Sequence, residues 1–211
     1  HQAGYIEGNA WNYSLYVPHR VDSMIELMGG KKRFALHLDS LFTMQLADNY
    51  FEHTEDITRE GIIGGYVHGN EPAHHVAYLY NWAGQPWKTA ELIRDIDTKF
   101  YSEKPDGLCG NEDLGQMSAW YILSSMGFYS VNPANGVYVL GSPLVNTAVI
   151  HHTKDVSFTI NAVNNSASNI YIQKAEYNGK PYTKSYITQE MIVKGGELKL
   201  YMGNKPSTTW G

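Results

Sequence analysis

Three stretches of the chain set an amide and a carboxylate beside glycine. They are Tyr5-Ile6-Glu7-Gly8-Asn9-Ala10-Trp11-Asn12-Tyr13, His68-Gly69-Asn70-Glu71-Pro72-Ala73-His74-His75, and Gly107-Leu108-Cys109-Gly110-Asn111-Glu112-Asp113-Leu114-Gly115-Gln116-Met117-Ser118-Ala119-Trp120. Two chemistries fit these residue types. Hard cations such as calcium take carboxylate, amide and carbonyl oxygens, and Asn70, Glu71, Asn111, Glu112 and Asp113 offer them on glycine-containing loops. Glycoside hydrolysis needs two carboxyl groups across the scissile bond, one an acid and the other a base or nucleophile. Glu7 and Asp113, from loops far apart in sequence, are such a pair. The plainer alternative is helix capping, in which Asn accepts an orphan N–H and an acid in the first turn complements the dipole. Capping needs one residue, and three carboxylate clusters between glycines ask for more.

Zinc would draw on His68, His74 and His75 with Glu71. It fits less well, because adjacent residues on a helix point about 100° apart. Neither a His-Glu-x-x-His pattern nor a cysteine pair is present. These histidines read instead as donors to a ligand hydroxyl, or as packed side chains. The single Cys109 excludes an internal disulfide framework, and its loop favours other chemistry over a thiol nucleophile. Trp11, in a polar stretch, either stacks on a sugar ring or packs. Trp82 and Trp120, on apolar helix faces, read as core.

The elements that must position these residues follow from periodicity. Helical spacing runs through Arg20–Met28 (Val21, Ile25, Met28, then Gly29-Gly30) and Lys32–Leu46 (Phe34, Leu38, Leu41, Gln45). Pro72 opens a segment with His75, Leu79 and Trp82, and Pro86 opens one with Ala90, Ile93, Ile96 and Phe100. A last helix is expected from Asp113, with Met117, Trp120 and Ser124 on one stripe, closed at Gly127. Beyond residue 134 the period becomes two, with strands expected over 137–140, 147–150, 156–163, 170–177 and 197–202 and a hairpin at Asn178-Gly179. The expected fold is mainly α with a C-terminal β region. Residues 1–134 hold about six helices, half of a closed (α/α)6 barrel of paired helices, and residues 135–211 form a small antiparallel β-sheet.

The 211 residues carry 21 acidic and 16 basic side chains, a formal charge of -5. That balance disfavours nucleic acid and anionic lipid as partners. No apolar run approaches the roughly 18 residues that span a bilayer. Residues 1–134 hold 17 acidic and 9 basic groups, and residues 135–211 hold 4 and 7, so the acidic excess belongs to the motif-bearing part.

Glu7-Gly8-Asn9-Ala10-Trp11, Gly69-Asn70-Glu71-Pro72 with His74-His75, and Gly110-Asn111-Glu112-Asp113 with Gln116-Met117-Ser118-Ala119-Trp120-Tyr121 resemble the calcium-dependent exo-α-mannosidases of glycoside hydrolase family 92. Gly127-Phe128-Tyr129 and Gly141-Ser142-Pro143 are similar as well, so the resemblance runs over about residues 4–145. It implies inverting hydrolysis of terminal α-mannosides on glycans, with Glu7 as general acid and Asp113 as general base. It further implies a Ca2+ ion held by Asn70 and Glu71 with Asn111, and substrate contacts from Trp11, His74, His75 and Glu112. Many relatives carry a carboxylate where Asn111 stands, which leaves Glu112 and Asp106 open as alternative bases. The family's architecture, a β-sandwich followed by an (α/α)6 barrel, implies that this chain is the C-terminal portion of a longer enzyme. Its expected partners are then the missing N-terminal part or a second copy, and its expected location is periplasmic, cell-surface or secreted. A non-catalytic, calcium-dependent carbohydrate-binding module is the alternative. A lyase or phosphorylase fits poorly, because the three stretches lack Arg and Lys and their carboxylates repel phosphate.

Overall fold

The structure, a computed structural model, describes Tyr5, residues 8–47 and residues 61–211. Glu7 lies outside the described residues. The helical part opens with α1 (Ala10–Tyr13), capped by Asn9, whose side chain accepts from the Trp11 N–H. Asn12 returns a bond to the Asn9 backbone and donates to the Gly65 carbonyl at 3.1 Å, tying this turn to a loop 53 residues on. For Asn9, then, capping is what the side chain does. Helix α2 (Val21–Leu27) buries Val21, Met24 and Ile25. It ends as expected, with Gly29 and Gly30 at φ 90° and 92° and their N–H groups on the Glu26 and Ile25 carbonyls.

Helix α3 (Lys31–Thr43) buries Phe34, Leu38, Leu41 and Phe42 and stops short of the expected Leu46. The Leu41 carbonyl, which would continue the helix through Gln45, accepts the Gly65 N–H at 2.7 Å instead. The segment after Pro72 also differs from its expectation. It forms two 3-10 turns, Glu71–Ala73 and Val76–Asn81, rather than an α-helix. Val76 to Tyr80 are buried on every side, and the Thr89 hydroxyl takes the Ala77 carbonyl at 3.0 Å. Helix α4 (Pro86–Lys99) begins at its proline and buries Ala90, Ile93 and Ile96, as its period requires. Helix α5 (Gln116–Met126) closes at Gly127 but starts three residues later than expected. Asp113, Leu114 and Gly115 have φ of 49°, 59° and 93°, which no right-handed helix accommodates.

Strands β1 (Ile62–Ile63) and β2 (Tyr66–Val67) form an antiparallel hairpin before α4, and the β region after α5 holds two sheets. One orders β3 (Phe128–Tyr129), β4 (Val137–Leu140) and β9 (Tyr186–Thr188). The other orders β5 (Thr147–His151), β6 (Ser157–Val163), β10 (Gly196–Gly203), β7 (Tyr171–Tyr177) and β8 (Lys180–Tyr182). The β7–β8 hairpin turns on Asn178 and Gly179 at φ 49° and 75°, as expected. One pairing departs from the antiparallel expectation, because β10 runs parallel to β6. A helix, α6 (Gln189–Lys194), lies between β9 and β10 and carries the chain to the far end of β6, as a parallel pairing requires. Two apolar cores result. The first packs Trp120, Tyr66, Tyr78 and Leu38 under the helices, and the second packs Phe158, Leu198 and Leu200 between sheet and α6. Phe128 belongs to the second core while Val131 and Val139 belong to the first, so the chain weaves between them there.

Candidate active site

Two of the three motifs meet backbone to backbone. A Cβ on Gly69 would stand 2.5 Å from the Cys109 carbonyl oxygen, and one on Gly110 would stand 2.5 Å from the Gly69 oxygen. Only glycine permits that approach. It sets the loop carrying Asn70 and Glu71 against the loop carrying Asn111, Glu112 and Asp113. In the same loop Asp113 and Leu114 have left-handed backbones, and Leu114 is fully exposed.

Beside this crossing lies a cleft of about 480 Å³. Glu71, His74 and His75 line it from the 3-10 turns, Asp113 from the left-handed loop, Gln116 from the first position of α5, and Tyr129 from β3. Tyr16 and Pro18 complete part of the rim. A larger hollow of about 820 Å³, lined by Asp39, Tyr80, Lys88 and Arg94, contains none of the motif residues, so size alone does not locate the site.

The histidines are held by the protein. His68 is fully buried, with Nδ1 2.7 Å from the Tyr66 hydroxyl and Nε2 2.7 Å from that of Tyr101. The Tyr101 hydroxyl donates to the Met117 carbonyl, so it accepts from His68 Nε2–H, and Tyr66 donates to Nδ1. His74 donates Nε2–H to the His68 carbonyl at 2.9 Å, and His75 donates to the Leu15 carbonyl at 2.8 Å. Burial holds His68 well below the ordinary imidazole range and pushes His74 down to about 4. Trp120 packs against these histidines, its ring 4.3 Å from that of His68 and its Nε1–H on the His74 carbonyl at 2.9 Å. It is core, as its stripe implied. The zinc reading finds no support here, since no group of three or more His, Cys, Asp or Glu among the described residues could hold a metal ion.

The remaining residues from the sequence separate by place. Glu112 accepts from the Ser118 N–H at 3.1 Å and its hydroxyl at 2.8 Å, and so caps the start of α5. Asn111 is exposed. Asn70 is buried and makes no capping bond from its position before the first 3-10 turn. Trp11, 39% exposed, stacks on His37 at 4.7 Å, outside the cleft lining. Asp106 lines a separate shallow hollow with Tyr101 and Cys109, so of the three acids weighed as base only Asp113 lines the cleft. Burial pushes the Cys109 thiol up to about 11, the state of a structural cysteine. Gln116 and Tyr129, within Gly110–Tyr121 and Gly127–Tyr129, also line the cleft, although their residue types alone do not mark them as functional. The signal for Tyr129 was its place just after the helix-closing Gly127, where the chain turns back from α5.

A family model for the catalytic domain of glycosyl hydrolase family 92 matches residues 1–204. A secreted glycosidase of Arthroderma benhamiae is 31% identical over 208 residues, covering 97% of this chain and 24% of the relative. The structure of a family 92 α-mannosidase of Bacteroides thetaiotaomicron in complex with mannoimidazole is 42% identical with a TM-score of 0.90, covering 97% of this chain and 26% of that one. An inverting family 92 mannosidase of the same species is 37% identical with a TM-score of 0.84, covering 98% and 29%. The chain thus spans about a quarter of the length of these relatives. Its helices and C-terminal sheets are those of the family's fold. The chain belongs to glycosyl hydrolase family 92.

Proposed function

We propose, with membership of family 92 as the premise, that this chain supplies part of the active site of an inverting, calcium-dependent exo-α-mannosidase. The observation that carries the reading is the meeting of Asp113, Glu71 and His74 in one cleft beside the Gly69–Gly110 crossing. Asp113 takes a proton from water as its oxygen attacks the anomeric carbon. Glu7 gives a proton to the departing glycosidic oxygen. A single displacement of this kind converts an α-mannoside to β-mannose. Asn70 and Glu71, with Asn111, would hold Ca2+ through their side-chain oxygens. The donor chemistry fits a hard cation, since Asn70 holds a buried amide that caps nothing and Glu71 faces the cleft. When bound, such an ion supplies positive charge and a template for sugar hydroxyls. Glu112, which caps α5, keeps Asp113 at the cleft mouth one residue on.

The rest of the pocket is read as coming from the part of such enzymes that this chain does not span. Glycan substrates outside the cell suit a secreted, surface or periplasmic location. Among the described residues no helix is long and apolar enough to cross a membrane. The test is hydrolysis of an aryl α-mannoside by the full-length protein, with calcium and then with a chelator, following the product anomer. β-Mannose appearing first, and only with calcium, is the expected result. Activity that survives thorough chelation removes the metal from the mechanism, and α-mannose appearing first removes the single displacement. Glu7→Gln is expected to abolish turnover while sugar binding persists. A binding module would show no turnover to lose.

A further inference from the structure

The hydrogen bonds behind the cleft have a direction that can be read atom by atom. The His68 carbonyl can only accept, so His74 Nε2 carries the proton that reaches it at 2.9 Å. A neutral ring then has a bare Nδ1. Only a donor can face it, and the Gln116 amide nitrogen does so at 3.0 Å. The same nitrogen lies 3.1 Å from the Tyr129 hydroxyl oxygen. An amide nitrogen has two protons and no lone pair to offer, so Tyr129 accepts the second. The Tyr129 hydroxyl proton is left over. It has no acceptor among the described residues, and Tyr129 lines the cleft.

We propose that Tyr129 is a specificity residue that donates a hydrogen bond to one hydroxyl oxygen of the bound sugar, and that Gln116 is the positioning residue that forbids it to accept. The inference rests on the mannosidase reading and deepens it. Burial holds the Tyr129 phenol above its ordinary range, the Gln116 bond opposing this and Tyr16 adding to it, so the proton stays in place at neutral pH. A donor-only contact selects for an acceptor atom on the ligand and is indifferent to whether that atom carries its own proton.

The test compares kcat/KM of the full-length protein on an aryl α-mannoside and on its monodeoxy and monodeoxyfluoro analogues at C2, C3, C4 and C6. Fluorine keeps a weak acceptor and lacks a proton, whereas hydrogen has neither. The intrinsic effect of each substituent on reactivity is common to both proteins and cancels when wild type is compared with Tyr129→Phe. At one position, removing the oxygen is expected to cost wild type roughly 3- to 10-fold more than it costs Tyr129→Phe, the range of one neutral hydrogen bond. Fluorine at that position should recover part of the difference. Gln116→Glu presents a carboxylate that accepts from Tyr129, and should lose the same discrimination at the same position. That readout separates positioning from mere support, which would lower all substrates alike. Turnover with no position coupled to Tyr129, or with fluorine no better than hydrogen at the coupled one, overturns the assignment. Discrimination retained in Gln116→Glu overturns the relay. Should one variant fail to fold, the other compared with wild type still cancels the substituent effect, and the absence of any coupled position in that comparison overturns the assignment. A wild type that turns over no α-mannoside overturns the functional reading and this assignment with it.

Discussion

Replacing Asp97 by Asn should stabilise this protein at alkaline pH and leave it unchanged in acid. Asp97 sits on α4, almost fully buried, and neither carboxylate oxygen has a hydrogen-bond partner among the described residues. Arg94, one turn earlier, uses its terminal nitrogens elsewhere, on the Ser166 and Pro143 carbonyls, Ser142 Oγ and Asn165 Oδ1. Burial therefore pushes the Asp97 carboxyl up to about 8, with Arg94 opposing the rise. The unfolded chain ionises this acid near pH ~3.9. Folded-state pKa above unfolded means that the folded chain holds the proton longer, so stability is full below about pH 4 and falls as pH rises toward 8. At about 1.36 kcal/mol per unit, the whole window is worth at most about 6 kcal/mol. Asn has nearly the same shape and cannot ionise, so its variant lacks this slope. The measurement is amide hydrogen exchange of the peptide covering residues 86–99 in the full-length protein, from pH 5 to 8, corrected for the intrinsic pH dependence of exchange. Protection in wild type should fall with pH while Asp97→Asn stays level. If the variant loses protection as steeply as wild type, or is the weaker of the two at pH 8, Asp97 is ionised and paired in solution and the reasoning from its orphaned oxygens is wrong.

The crossing of the motif loops gives a second prediction. Gly69→Ala or Gly110→Ala puts a methyl group 2.5 Å from a backbone oxygen, so the loops must part. A displacement near 1 Å lowers kcat/KM by about 100-fold, with an unchanged circular dichroism spectrum. Trp120→Phe leaves the buried His74 carbonyl without its indole donor and opens space beside His68. It should lower unfolding free energy in urea by about 2 kcal/mol or more. Leu114→Gly relieves a fully exposed, left-handed leucine and should raise stability by up to about 1 kcal/mol in the same assay.

Local rules carried much of the fold. Pro86 opens α4, Gly127 closes α5, Gly29-Gly30 ends α2, and Asn178-Gly179 turns the β7–β8 hairpin, each because one residue's backbone preference decides the matter. What escaped was decided by partners distant in sequence. Helix α3 stops where Gly65 takes the Leu41 carbonyl, and the run from Val76 becomes a 3-10 turn where it is enclosed on all sides. Helix α6 carries a local signal at each end, since Thr188 caps its start and Gly195 follows its end. The parallel pairing of β10 with β6 needs a crossover connection, and α6 lies within it.

The site divides along the same line. Composition could place carboxylates and amides between glycines, but it could not tell neighbours with opposite tasks apart. Glu112 turns inward to cap α5 and Asp113 outward to the cleft, and what separates them is the pair of left-handed residues at 113 and 114. Those two backbones are strained in any chain without a reason to hold them, and the reason lies in a different motif. The Gly69–Gly110 contact fixes where the loop must start, and the first turn of α5 fixes where it must end. The glycines are therefore as much a part of the site as the acids they flank. They decide which acid faces the cleft, so substituting Gly110 should impair the site as surely as substituting Asp113, through geometry and without removing a charge.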